Sequence, residues 1–531
     1  MGLRAGVDKY YTGEYNKVGW VTFCVTDMGV IARQSIKGAL ANYLGVAIGF
    51  VVTFFVLTRY LTEEEVGLTR VMVDAAMIFA SLAQLGTNSS IVKFFPHFKD
   101  NSNNHGLFGL SLLLPLAGFT LVALLFLIFR EPLVAMYADK SPLVADYFYM
   151  LPMLTFFALY LGVFETNASV LMRITVPKMV REVGIRLFNL VAYLLYGYRV
   201  IGLDLFVWLF CGSYGVAMLL NLFYLMKLNN FRWDVLKVDW KFLTREQRKE
   251  IGCYTMFMTV TVLAGNVPFF NSLFLGAKAG LALTGVYTIA FYIANVVEVP
   301  YRSLGAISRP VVAAAVKENN WGEVNRLVRQ VSLHQLLVSS AIFLIIWINL
   351  DTLYSFIPNG ASYAGGAGVV LMMGMAKAFY SSLSIGTDVL NFSRYYSRSL
   401  LFMAILTVSA IILNPLLIEL WGITGAASAT LFSYLLYFLL LLGYLYWRTK
   451  VSLFSLGQLK VMVLIAAGFA LNLLWNTAVS PLFDGSKGTM LLDAALKTTV
   501  MVALLAATTY AWKVSPTVNT MIDKLLKRNV R

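Results

Sequence analysis

Runs of about twenty apolar residues recur along the whole chain, and no other feature restricts its fold so strongly. Twenty helical residues rise about 30 Å, the thickness of the hydrocarbon core of a bilayer. In lipid every backbone N–H and C=O must be satisfied within the segment, which leaves helix as the form of such runs. Fourteen runs read as spans: 38–58, 66–90, 107–129, 144–169, 183–201, 204–226, 251–275, 283–306, 329–350, 365–389, 399–419, 423–446, 458–478 and 490–512. The fold class is therefore an all-α polytopic membrane protein with about 14 transmembrane helices. Composition agrees: 59% of the residues are hydrophobic and 13% charged, where a soluble chain carries about a quarter charged. No hydrophilic stretch is long enough for a folded domain; the longest is Lys227–Lys249.

The net charge of +15 invites a nucleic-acid reading. In a membrane chain it more often records cytoplasmic loops. With the N-terminus placed inside, 33 of the 42 Lys and Arg fall on inner segments, seven on outer ends and two within spans. Missing or adding one span would scramble this asymmetry. Both termini are therefore expected in the cytoplasm, and no nucleic-acid partner is expected. GWVTFCV near the start is too short to span and precedes no cleavage site, so no signal peptide is read. Residues 1–27 carry no span, and Met28 is an alternative start.

The segment YLTEEEVGLTRVMVDAAMIFASLAQLGTNSSIVKFFP, residues 60–96, is the most informative stretch. It places Arg70 and Asp74 inside an apolar helical run. A charge at a helix centre in lipid costs about 2.5–3.5 kcal/mol even on lenient scales, so such residues face a bundle interior or a wet cavity. Four residues apart, the two share a helix face. The same segment aligns with LALTGVYTIAFYIANVVEVPYRSLG, matching Gly67 to Gly285 at an offset of about 218 residues, or six spans. An even number of spans makes the repeats parallel, with a substrate site between the halves.

These residues bring a family into view. The ARQSIKG lead-in, the EEEVGL turn, LAQLGTNSSIVKFFP, and GVYTIAFYIANVV followed by Arg309-Pro310 resemble the O-antigen-type polysaccharide flippases of the multidrug/oligosaccharidyl-lipid/polysaccharide exporter superfamily. The resemblance covers roughly 28–512. It implies two six-helix lobes around a central cavity plus two C-terminal helices. It also implies movement of an undecaprenyl-pyrophosphate-linked oligosaccharide from the inner to the outer leaflet of a bacterial cytoplasmic membrane. The expected organisation is a cytoplasmic segment 1–36, a first lobe 37–228, a linker 229–249 and a second lobe 250–447. Two further helices follow in 448–512, then a basic cytoplasmic tail 513–531. Membrane lipids, glycosyltransferases and a polysaccharide polymerase are the implied partners.

Such a cargo needs cations for its phosphates, and aromatic and amide side chains for its sugars. The substrate-binding candidates are Arg70 with Asp74, Glu298 with Arg302 four residues on, and Lys377. Each of the first two pairs reads equally as a structural ion pair, with Arg302 able to snorkel. Lys377 has no acidic residue within four positions and sits mid-span, so it reads as an unpaired cation facing an anionic load. Glu165 and Asp388 are coupling-ion candidates, with a structural carboxyl and an inner-end cap as the plain alternatives. Asp493 and Lys497 read as a structural pair, Gly45-xxx-Gly49 as a helix-packing motif, and His334 as a satisfied interface histidine. Cys24, Cys211 and Cys253, with His97, His105 and His334, show no metal or disulfide spacing. No metal or cofactor is expected. No phosphate-binding loop or hydrolase motif points to an enzyme. The alternatives to a flippase are a cation-coupled multidrug antiporter of the same superfamily and a membrane polysaccharide polymerase or ligase. The first would more naturally carry an acidic cavity, and the second a large outer loop.

Overall fold

The computed structural model describes residues 44–98, 106–228 and 244–515 except 484, with a few positions beyond. Segment 1–36 with its alternative start, most of linker 229–249 and most of tail 513–531 lie outside the described residues. Among those described, the chain is helical and contains no strand.

The first repeat begins with α1, Leu44–Tyr60, which contains a π-helical stretch, Val52–Leu57. It continues with α2 (Glu63–Ala83), α3 (Thr87–Phe98), α4 (Leu107–Ile128), the short α5 (Arg130–Ala138) and α6 (Pro142–Val170). Next, Thr175–Met179, a second π-helical stretch at Val180–Gly184 and Ile185–Gly197 run on as α7, followed by α8, Leu203–Leu228. The second repeat opens with α9 (Arg245–Gly265), which bends into α10 (Val267–Lys278). Then come α11 (Leu281–Asn295), a 3-10 turn at Val296–Glu298, α12 (Val299–Lys317), α13 (Trp321–Ile348) and α14 (Leu350–Phe356). The chain ends in α15 (Gly360–Phe392), α16 (Tyr396–Thr449), α17 (Leu456–Ala478) and α18 (Lys487–Ala511).

Among the described residues ten helices are long and apolar enough to cross a membrane, or eleven if bent α9 and α10 form one span. Among the described residues, each of the fourteen expected spans falls largely on helix. The difference in count lies in three places. α16 carries two expected spans as two helices that meet at a kink at Gly422, whose φ of 58° and ψ of −132° a side chain would strain. Span 38–58 is described only as the shorter α1, and span 183–201 is interrupted by its π-helical turn. One boundary differs outright. The expected span 66–90 breaks where Leu85 and Gly86, both with positive φ, end the helical ladder before α3 restarts at Thr87.

The acidic turn proves to be a cap. Thr62 Oγ1 accepts from the Glu65 N–H at 3.3 Å, and the Thr62 N–H donates to Glu65 Oε2 at 2.9 Å. Three glutamates then sit at the positive end of the helix dipole. From there α2 runs as the most enclosed helix of the first repeat, packed on α6, α10 and α11. The repeat seen in the sequence returns here as a reciprocal contact. A Cβ added at Gly67 would lie 2.1 Å from the Leu281 carbonyl oxygen, and one at Gly285 would lie 2.0 Å from that of Glu63. The 63/281 and 67/285 correspondences share the offset of 218. This mutual contact is what a local two-fold axis between α2 and α11 produces, and only glycine permits it.

At the far end of the chain, α18 is tied to α17 and α13 by polar contacts. Asp493 accepts from Trp475 Nε1 at 2.8 Å and pairs with Lys497 at 3.8 Å, as expected for a structural pair. Lys497 also donates to Asn476 Oδ1 at 2.7 Å and to the Ile348 carbonyl at 3.3 Å. His334 Nε2 is 2.8 Å from Ser515 Oγ, a satisfied interface position.

Candidate functional site: a cationic cavity beside the repeat axis

One turn beyond the glycine contact, Arg70 and Asp74 form an ion pair with Nε 2.6 Å from Oδ2. The i,i+4 spacing allows it locally, and burial of both residues makes it close. Asp74 Oδ2 also accepts from Ser272 Oγ of α10 at 2.5 Å, so the pair is anchored in the second repeat. The guanidinium lies over two rings of α11, with Cζ 4.6 Å from the Phe291 centroid and 5.5 Å from that of Tyr292. Its Nη2 is buried without an acceptor.

Arg70 forms part of the wall of a cavity of about 420 Å³ between α1, α2, α7, α8 and α11. The other polar wall groups are Thr53, Thr69, Arg181, Glu182, Arg186, Asn189, Thr288 and Asn295, interleaved with Phe54, Tyr193, Tyr214 and Tyr292. Both π-helical stretches border it. A π-helical turn inserts a residue into the i→i−4 ladder and re-aims the side chains that follow, and it is commonly kept at functional sites. Here the first supplies Thr53 and Phe54, and the second Arg181 and Glu182.

The remaining expected residues fall into three groups. Lys377 is not the unpaired cation that its sequence neighbourhood implied: its Nζ donates to Glu298 Oε2 at 2.6 Å, across from α15 to the 3-10 turn after α11. The partner is 79 residues away, which is why a search of flanking positions misses it. Neither residue lines the cavity, and Lys377 Nζ is 5.7 Å from the centroid of Phe291, the ring that Arg70 also covers. Arg302 sits on α12, but its side chain lies outside those described. Glu165 is bound by Arg181 Nη1 at 2.7 Å, which places it one contact from the cavity. Asp388 is held by Arg309 Nε at 3.0 Å rather than acting as a helix cap, and Arg309 also donates to Tyr301 OH.

Arg181, Glu182 and Arg186 were absent from the sequence-based site. Arg181 and Glu182 precede the expected span 183–201, and Arg186, in its first turn, counts with the inner-loop charges. The i,i+4 pair Glu182–Arg186, 3.3 Å between Oε2 and Nη2, was the available signal that helix starts earlier. Four described cations of this region each have a carboxylate partner: Arg70–Asp74, Arg181–Glu165, Arg186–Glu182 and Lys377–Glu298. Among the described residues no group of three or more His, Cys, Asp or Glu side chains could hold a metal ion.

The chain is similar in fold to several solved structures. Lipid II flippase MurJ, in an inward closed conformation, matches with a TM-score of 0.67 at 11% identity, over 90% of this chain and 100% of that one. An inward-facing multidrug resistance MATE family transporter of the MOP superfamily gives 0.58 at 17% identity, over 80% of this chain and 98% of that one. An outward-facing one gives 0.53 at 16% identity, over 80% and 95%. No curated protein matches by sequence. The family model described as polysaccharide biosynthesis protein matches residues 31–313, more than half of the chain and including every wall residue of the cavity. The chain therefore belongs to the polysaccharide biosynthesis protein family.

Proposed function

We propose that the protein is a flippase. Its cargo is an undecaprenyl-pyrophosphate-linked oligosaccharide, a unit of lipopolysaccharide O-antigen, capsule or exopolysaccharide. It moves this cargo from the inner to the outer leaflet of a bacterial cytoplasmic membrane by alternating access. The observation that carries this reading is Arg70, a buried guanidinium on the wall of a cavity beside the repeat axis, with one nitrogen lacking an acceptor. A phosphate oxygen satisfies such a donor with a charge-assisted bond. The tyrosines and amides around it suit sugar faces and hydroxyls. A volume near 420 Å³ accepts the pyrophosphate and the nearest sugar, while the polyprenyl tail stays in lipid.

In this reading the lobes are 37–228 and 250–447, joined by linker 229–249 and followed by the two helices of 448–512. The Lys and Arg asymmetry supports cytoplasmic termini. Glycosyltransferases supply the cargo and a polymerase consumes it. The MATE-like fold favours a cation-coupled multidrug antiporter as the second reading. The unpartnered donors of Arg70 and Arg186 on the cavity wall favour an anionic cargo instead.

In cells that depend on the protein, Arg70→Gln at wild-type abundance should leave lipid-linked oligosaccharide on the inner leaflet and deplete surface glycan. Normal surface glycan in that strain would contradict the reading.

A further inference from the structure

Arg186 carries a second donor without an acceptor. Its Nη2 pairs with Glu182, but its Nη1 is buried and unpartnered, although the residue borders the cavity. The guanidinium lies against α1 at Gly45 and Gly49. A Cβ at Gly49 would stand 3.1 Å from Arg186 Cζ and Nε and 3.4 Å from Cδ, and would meet nothing else that close. At Gly45 the contacts include Glu182 Cβ at 2.8 Å and its carbonyl oxygen at 2.9 Å, so that glycine serves helix packing as well. The Gly45-xxx-Gly49 motif thus holds an arginine side chain and not only a neighbouring backbone. A charged donor buried without an acceptor is unfavourable. A phosphate oxygen in the cavity would supply the missing acceptor.

We propose that Arg186 is a second phosphate-binding cation of the cavity, held back in a slot on α1 that Gly49 keeps open. Resting on the flippase reading, it assigns one guanidinium to each phosphate: Arg70 takes one and Arg186 the other. The site then distinguishes a diphosphate-linked lipid from a monophosphate-linked one. Arg186 sets that preference, and Gly49 sets how far Arg186 is withheld.

The test uses the full chain in lipid nanodiscs, with farnesyl pyrophosphate and farnesyl monophosphate as probes. Wild type should bind the diphosphate more tightly. Arg186→Gln should weaken diphosphate binding about tenfold or more and leave the monophosphate nearly unchanged, so the preference collapses. Arg186→Lys should restore part of the affinity without the preference. Gly49→Ala, which crowds the guanidinium toward the cavity, should tighten diphosphate binding several-fold. In an Arg186→Gln background the same glycine change should do nothing, an interaction that a general packing defect would not produce. Unchanged diphosphate preference in Arg186→Gln, or a Gly49→Ala effect that survives it, would overturn the proposal and leave the flippase reading intact. Failure of wild type to bind either probe would overturn both.

Discussion

Lys377 Nζ and Glu298 Oε2 stand 2.6 Å apart, closing a mostly buried ion pair between residues 79 positions apart in the chain. Lys377 lies beside Phe291, whose ring also faces Arg70. A lysine that looks unpaired in the sequence is therefore half of a neutral unit. Removing one partner of such a pair leaves an uncompensated charge and costs about 3–5 kcal/mol, whereas replacing both is often close to neutral.

The first prediction follows from that asymmetry. Lys377→Met should unfold at distinctly lower temperature in detergent, and Lys377→Met with Glu298→Gln should recover most of the loss. The double variant should still flip cargo poorly if Lys377 leaves Glu298 for a phosphate during transit, and Lys377→Arg should retain part of the activity. Wild-type flipping by the double variant would assign the pair to structure alone.

A second prediction concerns the repeat axis. Gly67→Ala and Gly285→Ala each drive a Cβ into the same kind of carbonyl contact, so their effects should match. Overpacking of this kind costs about 1–3 kcal/mol and should loosen the contact between α2 and α11. Spin-label distances across that contact should lengthen equally in both variants. A large effect at one glycine with none at the other would contradict the local two-fold relation.

How much of this was legible beforehand depends on the range of the interaction. The spans could be read because a bilayer imposes their length and apolarity residue by residue. The Arg70–Asp74 pair could be read because four residues on one helix are neighbours in any fold. The repeat could be read because Gly67 and Gly285 sit in segments of similar pattern. By contrast, the Lys377–Glu298 pair depends on α15 meeting the turn after α11, and no local spacing records that. Arg181 and Arg186 were hidden for another reason. Their helix begins before its apolar run and passes through a π-helical turn, so Arg181 falls outside the expected span and Arg186 at its very start, where both read as loop charges.

Third, Glu165 is a coupling-ion candidate only if its tie to Arg181 can open. Glu165→Gln should fold with little change, since the Arg181 side chain is more than a third exposed. Its transport should nevertheless lose dependence on an imposed proton or sodium gradient. Wild-type dependence in that variant would move coupling to Asp74, Glu298 or Asp388.

The most direct measurement is flipping itself. Purified protein in proteoliposomes would be given a fluorescent undecaprenyl-pyrophosphate-linked oligosaccharide, with outer-leaflet arrival read by quenching. Wild type should move the probe, and Arg70→Gln with Asp74→Asn, which strands no buried charge and should stay intact by thermal unfolding, should slow it by about tenfold or more, the loss of one charge-assisted phosphate contact. Equal rates for the two proteins, or no movement by wild type while a cationic drug is carried, would contradict the account.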